Sequence, residues 1–365
     1  MTKSVRQTKL IVDLDAIFNN IVNIKKELGD VMLLPVIKAN AYGTYINKYL
    51  EIFHKCDINY VAVALVDEAI ELRNNGYIGN ILVLNPILVE EVEAVLEYDV
   101  VINGCDLDML KYISNIAKRE VKIHIEIETG MTRTGVKLED LDTFIDEVIT
   151  LDNIVVEGVF SHFSSSSKDR EYSLLQINKF EEGLAIIKHK RINIKYIHMC
   201  NSGAMFNYKE CRYNMVRIGI MLYGYYPSDK IKNYIDLKPS LTLKTKINFI
   251  QSVKANTAVG YNKNYITNKD SIIATIPFGF ADGLIGLETG EPYVIINELK
   301  IKIVAICMDY MMIDVTDIPN VKVGTDVFIW DNKNITVEEV AKWCNGICNY
   351  EIISSLSERI PREFI

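Results

Sequence analysis

One lysine in this chain sits where an amine can be made reactive. Lys38 closes the apolar stretch Val36-Ile37 and is followed at once by Ala39-Asn40-Ala41-Tyr42-Gly43, a polar, glycine-containing turn. A lysine amine buried against apolar surface and held near neutrality can attack a carbonyl. This is the Schiff-base chemistry by which lysines capture pyridoxal 5′-phosphate. The competing reading is a solvated lysine at a strand end, the ordinary fate of this residue type. Further polar residues stand downstream at Arg133, His162, His198 and Arg217. Asn201-Ser202-Gly203-Ala204 and Gly219-Ile220 offer a serine hydroxyl and backbone N–H groups that could hold a phosphate. A short helix is expected to open at Ser202, where Ser or Asn would equally serve as a plain N-cap.

The elements that must position these residues follow from hydrophobic periodicity. Beyond Asp15, Ile17, Ile21, Ile24 and Leu28 recur at helical spacing, and Val31 to Lys38 reads as a buried strand. The unit repeats through strand candidates Tyr60–Leu65, Asn80–Asn85, Val100–Asn103, Val121–Glu128, Ile154–His162, Ile194–Cys200 and Val216–Leu222. Between them lie amphipathic helices, among them those marked by Leu110/Ile113/Ala117, Leu141/Phe144/Val148 and Ile177/Phe180/Leu184/Ile187. This alternation predicts an α/β fold, a (β/α)8 TIM barrel over residues 15–238. Such barrels carry their active sites at the carboxyl ends of the strands. Lys38, Arg133, His162 and His198 fall at those ends, and Arg217 falls in the eighth strand.

From about residue 240 the pattern becomes strand-rich: Leu241–Ile250, Ser271–Phe278, Pro292–Cys307, Met311–Val315 and Asp326–Trp330, with Val337–Trp343 as a helix. A mostly β carboxyl-terminal domain over residues 239–365 is expected. The strand candidate Lys9–Leu14, in an amino-terminal segment 1–14, could pair with either domain.

Composition narrows the functional classes. The 365 residues are 49% hydrophobic and 24% charged with a net charge of -8, which suits a folded protein with a large core and not a nucleic-acid binder. Apolar runs such as Ile272 to Phe278 and Tyr293 to Ile296 are far short of the roughly 20 residues of a membrane helix. Met1-Thr2-Lys3-Ser4-Val5-Arg6 leads into a strand pattern, and no signal peptide is expected. Seven scattered cysteines point to a reducing, cytoplasmic setting. Cys344 and Cys348 are four apart on a predicted helix but lack a second Cys or His pair, and no metal site is expected.

Taken in order, the motifs resemble the alanine racemase family over essentially the whole chain. Val36-Ile37-Lys38-Ala39-Asn40-Ala41-Tyr42-Gly43 resembles its pyridoxal phosphate signature. Thr129-Gly130-Met131-Thr132-Arg133-Thr134-Gly135, Ser161-His162-Phe163, His198-Met199-Cys200-Asn201-Ser202 and Arg217-Ile218-Gly219-Ile220-Met221-Leu222-Tyr223-Gly224 continue the likeness. Val259-Gly260-Tyr261, Gly279-Phe280-Ala281-Asp282-Gly283, Cys307-Met308-Asp309 and Arg359-Ile360-Pro361-Arg362 extend it through the β domain. The resemblance implies a cofactor-dependent racemase of a small amino acid, alanine or serine, supplying D-amino acid for cell-wall precursors. Lys38 would be the base on one face of the substrate and Tyr261 the base on the other, because inverting a centre takes proton handling on both sides. A tyrosine hydroxyl ordinarily ionises only near pH 10, and His162, linked to Arg217, would assist it. Arg217 would contact the pyridine nitrogen and His198 would orient Arg217. Tyr42, Ser202, Gly219 and Ile220 match phosphate-binding positions; Arg133 and the backbone at Met308, beside Asp309, match contacts to the substrate carboxylate. In the family the tyrosine comes from a partner subunit, which implies a homodimer with shared sites.

Departures from the family pattern bear on substrate. Glu126 stands where many relatives carry a lysine that becomes carbamylated, so Glu126 is expected to orient Arg133 without that modification. Phe280 and Glu358 replace common tyrosines, and Thr44 replaces the usual histidine after Tyr42-Gly43. An apolar pocket rejects an added hydroxyl by only about a hundredfold, which leaves serine open. The divergent pattern is similar to the catalytic domains of vancomycin-resistance serine racemases, which are attached to a membrane-spanning portion; this chain would then be the cytoplasmic part of a longer protein. Two alternatives from other classes are a pyridoxal phosphate decarboxylase of the same fold and a non-enzymatic pyridoxal phosphate carrier. The first lacks its glycine triplet here, and the second has no β domain.

Overall fold

The computed structural model describes residues 4–232, 234–284, 286, 291–344, 346 and 348–365. The chain folds as two compact units. One comprises Ile17–Ala41 and Tyr45–Lys238; the other comprises the segment ending at Ala16, Tyr42–Thr44 and Pro239–Ile365.

After strand β1 (Lys9–Val12), the chain alternates helices with short apolar strands. The sequence runs α1 (Leu14–Leu28), β2 (Met32–Pro35), α2 (Lys38–Gly43), α3 (Leu50–Lys55), β3 (Tyr60–Val63), α4 (Val66–Asn74), β4 (Asn80–Val83), α5 (Val92–Glu97), β5 (Val101–Asn103) and α6 (Leu107–Ile116). It continues through β6 (Val121–Glu128), the short β7 (Val136–Lys137), α7 (Leu138–Val148), β8 (Ile154–Phe160), α8 (Arg170–His189), β9 (Tyr196–His198) and β10 (Met215–Ile218). All four residues of β3 are buried, as in a parallel strand covered on both faces. Asp106 and Asp169 cap α6 and α8 by accepting the N–H of Met109 and Tyr172 at 3.0 Å each.

Strands β3, β4, β5, β6, β8 and β9 pair in parallel in that order, and β10 pairs in parallel with β2. A parallel bridge between Val36 and Ala62 joins β2 to β3, and Arg217 N–H donates to Cys200 O at 3.0 Å beside β9. These links close the expected barrel. Leu34, Val36, Tyr60, Ala62, Leu82, Val101 and Met215 cluster in its core.

The second unit contains β11 (Leu241–Lys246), β12 (Phe249–Val253), β13 (Ala258–Val259), β14 (Tyr265–Ile266), β15 (Ser271–Ile276), β16 (Tyr293–Ile296), β17 (Leu299–Ile306), β18 (Met311–Asp314), β19 (Asp326–Trp330) and β20 (Arg362–Phe364). Nine of them with β1 included form the order β12-β15-β18-β17-β16-β19-β11-β1-β20. The amino-terminal strand therefore pairs here, antiparallel to β11 and parallel to β20. Two expected single strands are each divided. Leu241–Ile250 breaks between β11 and β12, and Pro292–Cys307 folds into a β16–β17 hairpin. The hairpin turns at Asn297 and Glu298, whose φ values of 49° and 65° are what a two-residue turn requires. Helix α9 (Val337–Trp343) is followed by α10 (Asn349–Ser354). Cys344 ends the first and Cys348 caps the second, so the two cysteines do not share one helix.

A buried carboxylate braces this unit. Asp282, fully buried, accepts from Arg6 Nη2 at 2.9 Å, Arg359 Nε at 2.7 Å and Gly279 N–H at 3.0 Å. Burial alone would raise its pKa, but these hydrogen bonds hold the carboxyl below its ordinary value. Asp282→Asn removes the counter-charge of Arg6 and leaves Arg359 with Asp309 alone. It should lower unfolding free energy by about 3 kcal/mol in denaturant titration; a change of a few tenths would show the brace to be redundant.

Candidate active site

Lys38 does not end a strand. Strand β2 stops at Pro35, and Lys38 opens the single turn α2. Ala39, Asn40, Ala41 and Tyr42 have φ values of 54°, 52°, 53° and 56°, so this turn is wound left-handed. Non-glycine residues resist that region by about 1–2 kcal/mol each, on the order of 4–8 kcal/mol for four. The turn is held by Ala41 N–H to Ile37 O at 2.9 Å, Tyr45 N–H to Asn40 O at 3.1 Å and Ile46 N–H to Asn40 Oδ1 at 2.9 Å. Burial lowers the pKa of the Lys38 amine, as do the charges of Arg133 and Arg217, while Glu68 opposes them. The direction is the one a nucleophilic amine needs. Tyr42, four residues on, is buried with its hydroxyl pKa raised by that burial, and is grouped with the β unit.

Arg217, on β10 and 3% exposed, is the hub of the barrel unit. Its Nη1 donates to His198 Nδ1 at 2.6 Å and to His198 O at 3.0 Å. Its Nη2 donates to Ser161 O at 2.6 Å and to His162 Nδ1 at 3.1 Å. The guanidinium stacks over Phe160, which lies parallel to the His198 ring. Burial lowers Arg217 to about 10, with Glu126 opposing and Arg133 adding to the shift; the group stays cationic at neutral pH. Two imidazoles that accept from a cation must be neutral, and burial together with the Arg217 charge holds His162 and His198 well below their ordinary pKa.

That requirement propagates. With Nδ1 accepting, His198 carries its proton on Nε2, which faces His124 Nδ1 at 2.8 Å. His124 in turn presents Nε2 to the Tyr60 hydroxyl at 2.9 Å, and Tyr60 donates to Glu157 Oε2 at 3.4 Å. A buried chain thus runs from a guanidinium to a carboxylate with every donor pointing outward. Glycine at 158 makes room for it, since a Cβ there would lie 2.5 Å from His124 Nδ1. His124 was not among the residues singled out in the sequence. The available signal is strand alternation, which places His124 and Glu126 on one face of β6.

Glu126 has closer partners than Arg133. One oxygen accepts from Asn103 Nδ2 at 2.7 Å and from Thr134 Oγ1 at 2.5 Å. Arg133 Nη2 approaches the other only to 3.9 Å, with the Arg133 side chain half exposed. This is an ion pair and not a hydrogen bond. The His162 loop is fixed independently: Gln176 Nε2 donates to His162 O at 3.0 Å, and Thr129 Oγ1 meets Ser161 Oγ at 2.7 Å.

Ser202 and Gly219 are brought together, with Gly219 N–H donating to Ser202 Oγ at 3.2 Å. Ile220 opens a 3-10 turn behind them, where its N–H lies among the unpaired donors of a helical start. The expected helix after Ser202 is a run of turns instead, begun by Asn201 Oδ1 accepting Ala204 N–H at 3.0 Å. The donor set of the barrel unit fits pyridoxal phosphate: a depressed amine, a hydroxyl with adjacent backbone N–H groups, and a fixed cationic donor.

The remaining predicted residues lie in the β unit. Tyr261 follows the β13 strand, is 70% exposed, and lines a cleft of about 750 Å³ with Phe280, Lys302 and Ala305. Gly260 before it has φ 74°, and a Cβ there would sit 2.4 Å from Ala305 Cβ. Met308 is exposed, with its carbonyl accepting Ala281 N–H at 3.0 Å; Asp309 is paired to Arg359 at 2.9 Å. Glu358 is exposed and Thr44 is buried. Among the described residues no helix is long and apolar enough to cross a membrane.

Residues 12–227 match the alanine racemase N-terminal domain and residues 240–364 the alanine racemase C-terminal domain. The chain is similar to alanine racemase 2 of Caldanaerobacter subterraneus subsp. tengcongensis, with 38% identity covering 100% of this chain and 96% of that protein. It is also similar to alanine racemase 1 of Clostridium acetobutylicum, at 35% identity over 100% and 97% of the two chains. The solved alanine racemase of Clostridium difficile 630 superposes with a TM-score of 0.95 at 33% identity, over 100% and 97%. That of Bacillus anthracis with bound L-Ala-P does so with 0.92 at 33%, over 100% and 96%.

The neutral imidazoles have a thermodynamic signature. Burial also lowers His124, against the opposing carboxylate of Glu157. Below about pH 6.5 the unfolded chain takes up protons that the native histidines refuse, so stability is complete above that pH and falls as pH drops, by up to about 1.4 kcal/mol per pH unit per imidazole. Urea midpoints should be lower at pH 5.5 than at pH 7.5, and less so in His198→Asn. Equal loss in wild type and variant would mean that His198 is protonated in the native state.

Proposed function

The chain belongs to the alanine racemase family, and on that premise we propose that it interconverts L- and D-alanine with Lys38 and Tyr261 as its two proton-handling groups. It is a pyridoxal phosphate-dependent amino-acid racemase. The observation that carries the residue assignment is the Arg217 guanidinium held between two neutral imidazoles.

Lys38 would hold the cofactor covalently, Arg217 its ring nitrogen, and Tyr42, Ser202 and the N–H groups of Gly219 and Ile220 its phosphate. When bound, pyridoxal phosphate supplies the electron-withdrawing system that makes an α-proton removable. The Lys38 amine takes that proton from one face of the α-carbon, and the Tyr261 hydroxyl delivers one to the other; for the opposite enantiomer the two exchange roles. His162 accepts from Arg217 at Nδ1, so its Nε2 bears a hydrogen able to support the tyrosine oxygen in its ionised form. Arg133, with the backbone at Met308 beside Asp309, orients the substrate carboxylate. The exposure of Tyr261 beside a cleft supports a homodimer in which Tyr261 of the partner subunit completes each site. Free cysteines suit a cytoplasmic setting.

Incubation with pyridoxal phosphate and L-alanine or L-serine in deuterated water should give D-alanine labelled at the α-carbon, faster than D-serine. Faster serine turnover would reverse the substrate assignment, and no D-product from either would remove it. Tyr261→Phe should slow racemisation by about 10²–10⁴ while Lys38 still binds cofactor; unchanged turnover would exclude Tyr261. Glu126→Gln keeps its shape but loses its charge beside Arg133. Its KM for alanine should rise roughly twofold to fivefold, the scale of a half-exposed ion pair, and an unchanged KM would free Arg133 from Glu126.

A further inference from the structure

The turn bearing Lys38 spends four consecutive L-residues in a conformation that glycine alone adopts readily. Strain of this kind persists only where surrounding contacts over-determine it. One of these contacts comes from α4. Glu68, on the first turn of α4, places Oε1 3.0 Å from Asn40 N–H, while its Oε2 accepts Ala64 N–H at 2.8 Å and Leu65 N–H at 3.1 Å. We propose that Glu68 is a positioning residue for Lys38, its carboxylate locking the left-handed turn to the start of α4 so that the amine has one place to be. The proposal rests on the reading of Lys38 as the reactive lysine.

A glutamate at this helix position has an ordinary task, which is to reach back to the N-cap N–H. Oε2 performs it alone. Oε1 contributes nothing to α4 and is turned instead to Asn40. Asn40 is the pivot of the turn, since its carbonyl accepts Tyr45 N–H and its side-chain oxygen accepts Ile46 N–H. Without Glu68 its N–H would face the loop unbonded, in the middle of the strained run. Glu68 also acts on the amine itself, opposing the lowering of its pKa by burial, Arg133 and Arg217. The same carboxylate therefore restrains the backbone two residues from Lys38 and moderates how far the amine is depressed.

The test follows amide exchange by mass spectrometry on full-length protein loaded with pyridoxal phosphate, in peptides covering residues 36–46 and 64–74. In wild type, Asn40 should be protected; exchange as fast as an open loop would overturn the lock outright, whatever the variants do. Glu68→Gln has one acceptor where the site needs two. Ala64 and Leu65 compete for it and leave Asn40 opposite an NH2 group. Exchange at Asn40 should accelerate about tenfold or more, on the scale of losing a hydrogen bond to a charged acceptor. Glu68→Asp keeps the charge but is one methylene short, and should loosen the turn as well. Cofactor retention on dialysis should weaken in both. Faster exchange confined to residues 64–74, with the Lys38 peptide and retention unchanged, would reduce Glu68 to a helix cap and overturn the proposal. A wild-type protein that makes no D-alanine bears on the racemase reading alone, because exchange at Asn40 is read without turnover.

Discussion

A fully charged guanidinium lies inside the barrel without a carboxylate bonded to it, and the rest of the site is arranged around that fact. Arg217 is satisfied by carbonyls of Ser161 and His198 and by two imidazole nitrogens. A buried cation is tolerable only when its donors are met, and here they are met by carbonyls and by imidazoles whose neutrality is enforced by burial and by the cation itself. Each histidine then has one free choice fewer. His198 must donate from its other nitrogen, His124 must receive that proton's hydrogen bond, and Tyr60 ends the series against Glu157. Geometry that would otherwise depend on several independent rotamers depends on one charge.

Lys38, the proposed reactive lysine, is governed by a different kind of restraint. Its turn is unfavourable in isolation and is retained by bonds to its own loop and to the start of α4. At its far end, Arg362 Nε donates to Gly43 O at 2.7 Å, and the same guanidinium gathers the carbonyls of Ser357, Ile360 and Leu356. Rigid backbone beneath a flexible four-carbon side chain limits where the amine can go, which the proposed proton transfer on one face would require.

Much of this architecture was legible because it rests on local pattern. Tyr60–Val63 and Asp326–Trp330 announce themselves as apolar runs, and α7 and α8 as stripes. What was hidden depends on backbone handedness or on partners distant in sequence. Ala39-Asn40-Ala41-Tyr42 contains only asparagine as a hint of left-handed winding. Asn297-Glu298 lacks the glycine that normally advertises a tight hairpin, so two strands read as one. Glu126 is expected beside Arg133 because it stands where relatives carry a carbamylated lysine, and the two do form an ion pair, but the closer bond from Asn103 on another strand has no signal in the local sequence. His124 was overlooked inside an apolar strand because its role exists only once His198 and Tyr60 arrive from elsewhere in the barrel.

The placement of β1 has a consequence for how the molecule comes into being. Lys9 and Glu363 meet across the β1–β20 pair although 354 positions separate them along the chain. Contacts so far apart are slow to form and costly in loop entropy. During synthesis the barrel segment can collapse on its own strands, but β1, made before it, has to wait, unpaired, until β11 and then β20 follow. An unpaired strand edge invites association with other chains. The short length of β1, with Lys9 at its edge, makes it a poor template during that interval.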